Sequence, residues 1–349
     1  MNHGGDIYRN RIDIDFSVSL NPINVPDEIN DAINRGIKRA GSYPDIRQES
    51  LRKLIAGYER IGLENVFAGN GASELILAIV RSLAPKNVLL TEPGFSGYRY
   101  ALKGLHNCVI KTFNLEKENG FSLTSDIIDM MDESIDMIFI CDPWNPTGQS
   151  LDDELLLAVL DRAEKNDTYV ILDQSFYHLS SKALNGFDVN RMLKKYDRLI
   201  VLRSMTKVLA LPGIRTGYVM AKDDIITRIR SELAEWNLSV ISEEVIKAGV
   251  KLINESDFID MSLDLIQKER QYLTDELGTL GLRVYESDTN FLMFESKQKL
   301  YEELLKRKIL IRDLSDCPGL SKGFYRIAVK DHGSNKILIE NIKEIINGH

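Results

Sequence analysis

Lys207 closes the segment Arg203-Ser-Met-Thr-Lys207, directly after an apolar run that reads as a buried strand. A lysine in that place is a solvated loop residue as readily as a reactive one, so its neighbours decide. Ser204 precedes it, and Leu-Pro-Gly-Ile-Arg215-Thr-Gly-Tyr follows, with Gly213 and Gly217 free to let backbone approach closely. An amine that condenses with the aldehyde of a phosphorylated ligand needs such company, because hydroxyl and guanidinium anchor the phosphate. A second anion-suited feature lies upstream in Phe67-Ala-Gly-Asn-Gly71-Ala72-Ser73-Glu-Leu. It reads as a Gly-rich turn opening a helix, where backbone N–H groups face an anion. A dinucleotide fingerprint fits it less well, because Glu74 stands at the third glycine position.

Other residues carry chemistry only in combination. Asp173 ends the run Tyr-Val-Ile-Leu, where a carboxylate can oppose a protonated ring nitrogen or simply cap a helix. Asn145 sits in Asp142-Pro-Trp-Asn-Pro-Thr-Gly148, a string of turn formers. Phe95, in Glu92-Pro-Gly-Phe, can stack on a ring or only pack. Arg326, in Tyr-Arg-Ile-Ala-Val, offers a planar fork for a carboxylate or an ordinary ion pair.

The elements that must position these groups are legible as alternating strands and helices. Strands are expected at Asn87–Thr91, Cys108–Thr112, Met137–Cys141, Tyr169–Asp173, Leu199–Arg203 and Thr216–Ala221. Amphipathic stretches such as Ser73–Ser82 and Asp152–Lys165 lie between them. Continuous apolar strands separated by helices predict an α/β fold with a mostly parallel sheet covered on both faces. Ligands of such sheets sit at the carboxyl ends of the strands, where the residues above fall. Beyond Lys222 a long helical region runs to about Leu280, broken near Asn237–Ser239. Strands at Asn290–Phe294 and Phe324–Val329, with a helix at Gln298–Lys308 between them, complete the pattern. The expected organisation is a large domain over 27–230 and a smaller α/β domain over 231–349, joined by the N-terminal segment 1–26.

Taken in order, these segments resemble the class I/II aminotransferases, the pyridoxal-phosphate (PLP) enzymes of aspartate-aminotransferase-like fold. The resemblance spans Tyr43 to Arg326 and implies a role for each residue. Lys207 would hold the cofactor, Asp173 its pyridine nitrogen and Asn145 its phenolic oxygen, with Phe95 stacked on the ring. Gly71, Ala72, Ser73, Ser204 and Arg215 would hold its phosphate. Tyr43, in Tyr-Pro-Asp45, would reach the phosphate in the neighbouring subunit, which implies a homodimer. Arg326 would clamp a substrate carboxylate.

Two branches of the family compete. The opening His3-Gly-Gly-Asp6, then Asp15-Phe-Ser-Val-Ser-Leu-Asn21-Pro, resembles threonine-phosphate decarboxylases of the cobalamin pathway. So do Arg203–Lys207 with Leu-Pro-Gly, and Ile311-Arg312-Asp with Tyr325-Arg326-Ile-Ala-Val. Phe176 stands where the aminotransferase branch has a tyrosine, and Tyr177, one position on, would point elsewhere. His3, Asn21, Arg312 and Arg326 are the candidates for holding the substrate, a small and phosphorylated amino acid. The competing branch is histidinol-phosphate aminotransferase, with 2-oxoglutarate as acceptor. The chain departs from the pattern at Gln174, where glutamate is usual, and at Trp236-Asn-Leu-Ser-Val-Ile, which lacks a final asparagine. A PLP-binding regulatory protein would not need the electron sink and the carboxylate clamp together. A nicotinamide-dependent dehydrogenase would give no borohydride trapping at Lys207.

Bulk properties bound the rest. A net charge of -8 over 349 residues gives no basic surface of the kind nucleic acid requires. The polar start carries no apolar stretch of signal-peptide length, and no run suits a membrane span. Cys108, Cys141 and Cys317 are widely spaced, form no metal-type pair, and read as reduced thiols of a cytoplasmic protein.

Overall fold

The computed structural model describes residues 4–348. Its centre is a sheet of strands β2 (Val66–Gly69), β3 (Asn87–Glu92), β4 (Val109–Asn114), β5 (Met137–Cys141), β6 (Tyr169–Asp173), β7 (Leu199–Ser204) and β8 (Gly217–Met220). The spatial order is β2-β8-β7-β6-β5-β3-β4. All neighbours are parallel except β8, which runs antiparallel to both β2 and β7. Every residue of β5 and β7 is buried, which is why these strands read as unbroken apolar runs. β2 was not anticipated: its run Val-Phe-Ala-Gly is short and merges into the Gly-rich turn.

Helices α1 (Asp27–Lys38), α2 (Glu49–Glu59), α3 (Ala72–Leu83) and α4 (Ser96–Leu102) cover this sheet together with the helix Asp153–Lys165. The last begins where the carboxylate of Asp152 accepts from the N–H groups of Glu154 and Leu155. Such a cap is worth about 1 kcal/mol.

The expected long helical region is three helices, Asp223–Ser231, Val240–Glu255 and Phe258–Thr279. The first break matches the sequence reading, and Ser239 caps the helix that follows it. The second break, at Ser256 and Asp257, was not expected. The helix Val240–Glu255 packs its Val245, Ile246 and Val250 into the same core as Ile29, Leu51 and Ile55 of α1 and α2. Phe258–Thr279 bridges two cores: Phe258 and Ile266 join that one, whereas Leu273 and Leu277 join a second.

The second layer is an antiparallel sheet, β12-β13-β10-β9, of β9 (Arg283–Val284), β10 (Phe291–Glu295), β12 (Arg312–Asp313) and β13 (Phe324–Ala328). Beside it β1 (Ile14–Asp15) pairs in parallel with β11 (Ile309–Leu310). Phe16 is fully buried among Leu292, Phe294, Ile327 and Leu338. The N-terminal segment thus joins the C-terminal layer. Among the described residues no helix is long and apolar enough to cross a membrane.

Candidate active site

Cys141, Asp173 and Ser204 are the last residues of the parallel strands β5, β6 and β7. All three open into one cavity of about 460 Å³, which Lys207, Arg215 and Arg326 also line. Alternation along each strand and the shared carboxyl-end geometry bring them together.

At one end the cavity gathers groups suited to an anion. Helix α3 begins at Ala72, so the N–H groups of Ala72 and Ser73 have no partner within the helix. Gly71 has φ +82°, and a Cβ there would lie 2.7 Å from Nη2 of Arg215. The guanidinium therefore lies against the turn that only glycine fits. Gly217 serves the same approach, since its Cβ would lie 3.3 Å from the N of Ala72. Gly213 does not: it has open space around it. Ser73, Ser204 and Thr206 supply hydroxyls to the same cavity.

In the middle lies Asp173, almost wholly buried. Its Oδ2 accepts from the Tyr98 hydroxyl at 2.7 Å, and its Oδ1 from the Ser175 hydroxyl at 2.6 Å and N–H at 3.0 Å. Burial raises the carboxyl above its ordinary range, opposed by these bonds and by Lys207. Burial and Asp173 hold the Tyr98 hydroxyl well above its usual range, so it stays a donor. Lys207 is partly buried, its Nζ 5.6 Å from the Phe176 ring centre. Burial first, then Arg326 and Arg215, push its amine down to about 8 against the pull of Asp173. Free amine, the form that attacks an aldehyde, is then populated near neutral pH. Phe95 lines the cavity, edge-on to Tyr98 at 5.3 Å.

At the other end stands Arg326. Its Nη1 donates to Oδ1 of Asn145 at 2.5 Å and its Nη2 to the Ser17 carbonyl at 3.2 Å. Its Nε is buried with no partner among the described residues. Burial and the nearby Arg312 lower its pKa to about 10. Asn145 still has its amide donors to offer a ligand. A smaller adjoining cavity, about 140 Å³, is lined by Arg326, Arg312, Asp316 and Arg99.

Asn21, expected to hold substrate, and Tyr43, expected to reach the site of a neighbouring subunit, both lie outside this cavity. Asn21 spends its amide elsewhere, donating to the Val208 carbonyl at 3.0 Å and Ser262 Oγ at 2.9 Å. Its Oδ1 accepts from the N–H of Ile23, and its own N–H donates to the Lys207 carbonyl at 3.0 Å. The Asn21 side chain thus has both its amide atoms engaged, and its N–H braces the lysine turn. Tyr43 is exposed and stacks against Trp236, with ring centres 4.9 Å apart. His3 lies outside the described residues. Tyr177 turns away as expected, its ring over the Arg203 guanidinium and its hydroxyl accepting from the N–H of Phe187. Gln174 is buried with neither amide atom bonded among the described residues.

Tyr98, Ser175, Thr206 and Ser17 were missed by sequence reading. Ser175 carried a signal, since a hydroxyl two residues after an aspartate suits a local turn bond. Tyr98 carried one only through the one-turn spacing from Phe95. Tyr98→Phe leaves Oδ2 of Asp173 without its donor. Its kcat/KM is expected to fall roughly tenfold, with the acid limb of the pH profile moving upward. A pH profile of kcat/KM checks both.

The family described as aminotransferase class I and II matches residues 11–342. The threonine-phosphate decarboxylase of Salmonella typhimurium is 28% identical over 340 residues, covering 96% of this chain and 92% of its own. The histidinol-phosphate aminotransferase of Pyrococcus furiosus is 30% identical over 327 residues, covering 93% and 90%. The crystal structure of the histidinol-phosphate aminotransferase from Clostridium acetobutylicum superimposes with a TM-score of 0.87 at 29% identity. It covers 96% of this chain and all of its own.

Proposed function

The chain belongs to the class I and II aminotransferases, a family of PLP-dependent enzymes, and we propose that it decarboxylates a small phosphorylated amino acid, threonine phosphate. The observation that carries this reading is the arginine pair at the far end of the cavity. Arg312 and Arg326 are directly opposed residues of β12 and β13. Two forks on one face suit a substrate with two anionic groups, a carboxylate and a phosphate. The buried Nε of Arg326, without a partner among the described residues, is a donor suited to a ligand acceptor. Phe176 supports the same branch, since it puts a bare ring at the cavity where a tyrosine hydroxyl would stand.

The residues present fit PLP. The Gly71–Ser73 turn, Ser204 and Arg215 match a phosphate, Asp173 a protonated ring nitrogen, Asn145 a phenolic oxygen, and Lys207 an aldehyde. When bound, PLP supplies the electron sink that lets a bond at the substrate Cα break. Asp173, held by Tyr98 and Ser175, would face the ring nitrogen and favour a proton there. Arg326 and Arg312 would orient the substrate through its anionic ends and so govern which bond at Cα is presented for cleavage. Once CO₂ has left, Nζ of Lys207 is placed to deliver a proton to Cα, giving 1-aminopropan-2-yl phosphate. The walls of Phe95 and Phe176 keep bulk water from competing for that carbon. Homodimerisation belongs to the same proposal, with Tyr43 exposed for a second copy.

Incubating the PLP-loaded protein with O-phosphothreonine is expected to release CO₂ in step with phosphorylated amine. Transfer of the amino group of histidinol phosphate to 2-oxoglutarate, giving imidazole acetol phosphate and glutamate, with no CO₂ from O-phosphothreonine, would assign the aminotransferase branch and defeat this reading.

A further inference from the structure

We propose that a second cavity, behind the active site, is a binding site for a small monoanionic carboxylate held by Arg203. The cavity measures about 550 Å³ and opens between the end of α2, the turn Tyr177–Leu179 and the loop 186–188. Its relation to the active site follows from strand geometry. Arg203 and Ser204 are consecutive residues of β7, so their side chains leave opposite faces of the sheet. Ser204 lines the active-site cavity and Arg203 this one. The turn after β6 divides in the same way, with Phe176 lining the first cavity and Tyr177 and His178 the second.

Arg203 is the feature that asks for a ligand. Its side chain is only 2% exposed, and its Nε has no partner among the described residues. The carboxylate beside it, Oε2 of Glu59, stands 4.0 Å from Nη2, too far for a hydrogen bond. Glu59 is itself committed elsewhere, since its Oε1 accepts from the Tyr218 hydroxyl at 2.6 Å. The guanidinium sits over the Tyr177 ring instead, 3.8 Å from its centre. A buried fork of five donors with so little to accept from it is costly unless a ligand fills the gap.

The surroundings add further donors. Burial and Glu59 push the Tyr58 hydroxyl up to about 12, so it keeps its proton. The Tyr177 hydroxyl accepts from the Phe187 N–H at 2.7 Å, which leaves its own proton to give. Burial and Arg203 keep His178 neutral, and its Nε2 has no partner among the described residues. A carboxylate is an acceptor-only group whose two oxygens match one edge of a guanidinium and a hydroxyl beside it. One charge suits the place better than two, because Glu59, Asp188 and Asp260 also line it, with Arg60 as the opposing cation. The rings of Tyr58, Tyr177 and Phe187 offer the rest of the ligand an apolar wall.

Benzoate is a suitable probe, a planar monoanion with an aromatic ring. It is dialysed against the PLP-loaded full chain carrying Arg312→Ala and Arg326→Ala, so that the active-site arginines do not compete. Saturable binding of one benzoate per chain is expected, with benzamide, the same shape without the charge, about tenfold weaker. In that background Arg203→Lys is expected to weaken benzoate roughly tenfold, since lysine keeps the charge but not the fork. Tyr58→Phe is expected to weaken it roughly fivefold, and it leaves the buried guanidinium in place should the lysine variant not fold. Lack of saturable benzoate binding, or benzamide binding as tightly, would overturn the proposal. So would a benzoate affinity unchanged in whichever of the two variants folds, the result a merely structural Arg203 predicts. None of these results depends on which reaction the active site performs.

Discussion

Lys207→Met is expected to lower turnover by ~10⁴-fold or more, because one side chain is asked both to capture the cofactor and to move a proton at Cα. The effect has a readout independent of activity. Borohydride treatment of the wild type with PLP should fix the cofactor mass on the peptide holding Lys207, and the variant should show none. The pH dependence follows from the amine's surroundings. Burial, Arg326 and Arg215 depress it to about 8, so below that pH the amine is protonated and above it is free. Capture of the aldehyde by the cofactor-free protein is therefore expected to accelerate as pH rises through about 8 and then level off. A rate that continues to climb toward the range of an ordinary lysine would mean that the cavity does not exert this field. Methionine approximates the length of the side chain, so the thermal midpoint of the cofactor-free chain tests whether the loss is chemical.

Asp173→Asn is expected to cost roughly 10²- to 10³-fold in kcat, the scale of removing one preorganised charge from a dry site. The amide keeps the size of the carboxylate but has no negative charge with which to hold a proton on an opposing nitrogen. It also turns an acceptor-only group into one with two donors, against hydroxyls of Tyr98 and Ser175 that already donate. Cofactor binding, measured by equilibrium dialysis, should weaken far less than kcat falls, because the phosphate turn and Arg215 are untouched. Equal losses in both would mean that Asp173 acts by general packing.

The large sheet was legible because its strands are buried on both faces and its helices are amphipathic. β5 and β6 fall where the apolar runs place them, Met137–Cys141 and Tyr169–Asp173. β2 escaped because four residues give no period, and the packing of the helix Val240–Glu255 against α1 and α2 was not legible because amphipathicity tells that a helix is buried, not against what. The same limit applies at the site. Lys207, Asp173, Asn145, Arg215 and the Gly71 turn follow strands or open a helix, and their positions along the chain predict a shared cavity. Tyr98 reaches Asp173 across 75 residues of sequence, a contact that no local pattern encodes. Asn21 shows the opposite failure: its sequence setting resembled a substrate contact, yet the Val208 carbonyl and Ser262 claim its amide from distant segments.

The bond between Arg326 and the Ser17 carbonyl joins residues 309 positions apart. The strand pairing of Ile14 with Ile309 closes a loop of nearly the same span. A ribosome must therefore make almost the whole chain before the substrate anchor can form, whereas the phosphate turn and lysine segment are complete more than a hundred residues earlier. Loop-closure entropy makes such distant contacts late ones in folding. The protein passes through a stage in which the cofactor's cradle can be assembled while the grip on substrate cannot. The order of synthesis thus separates holding the cofactor from using it, and reactive capacity arrives last.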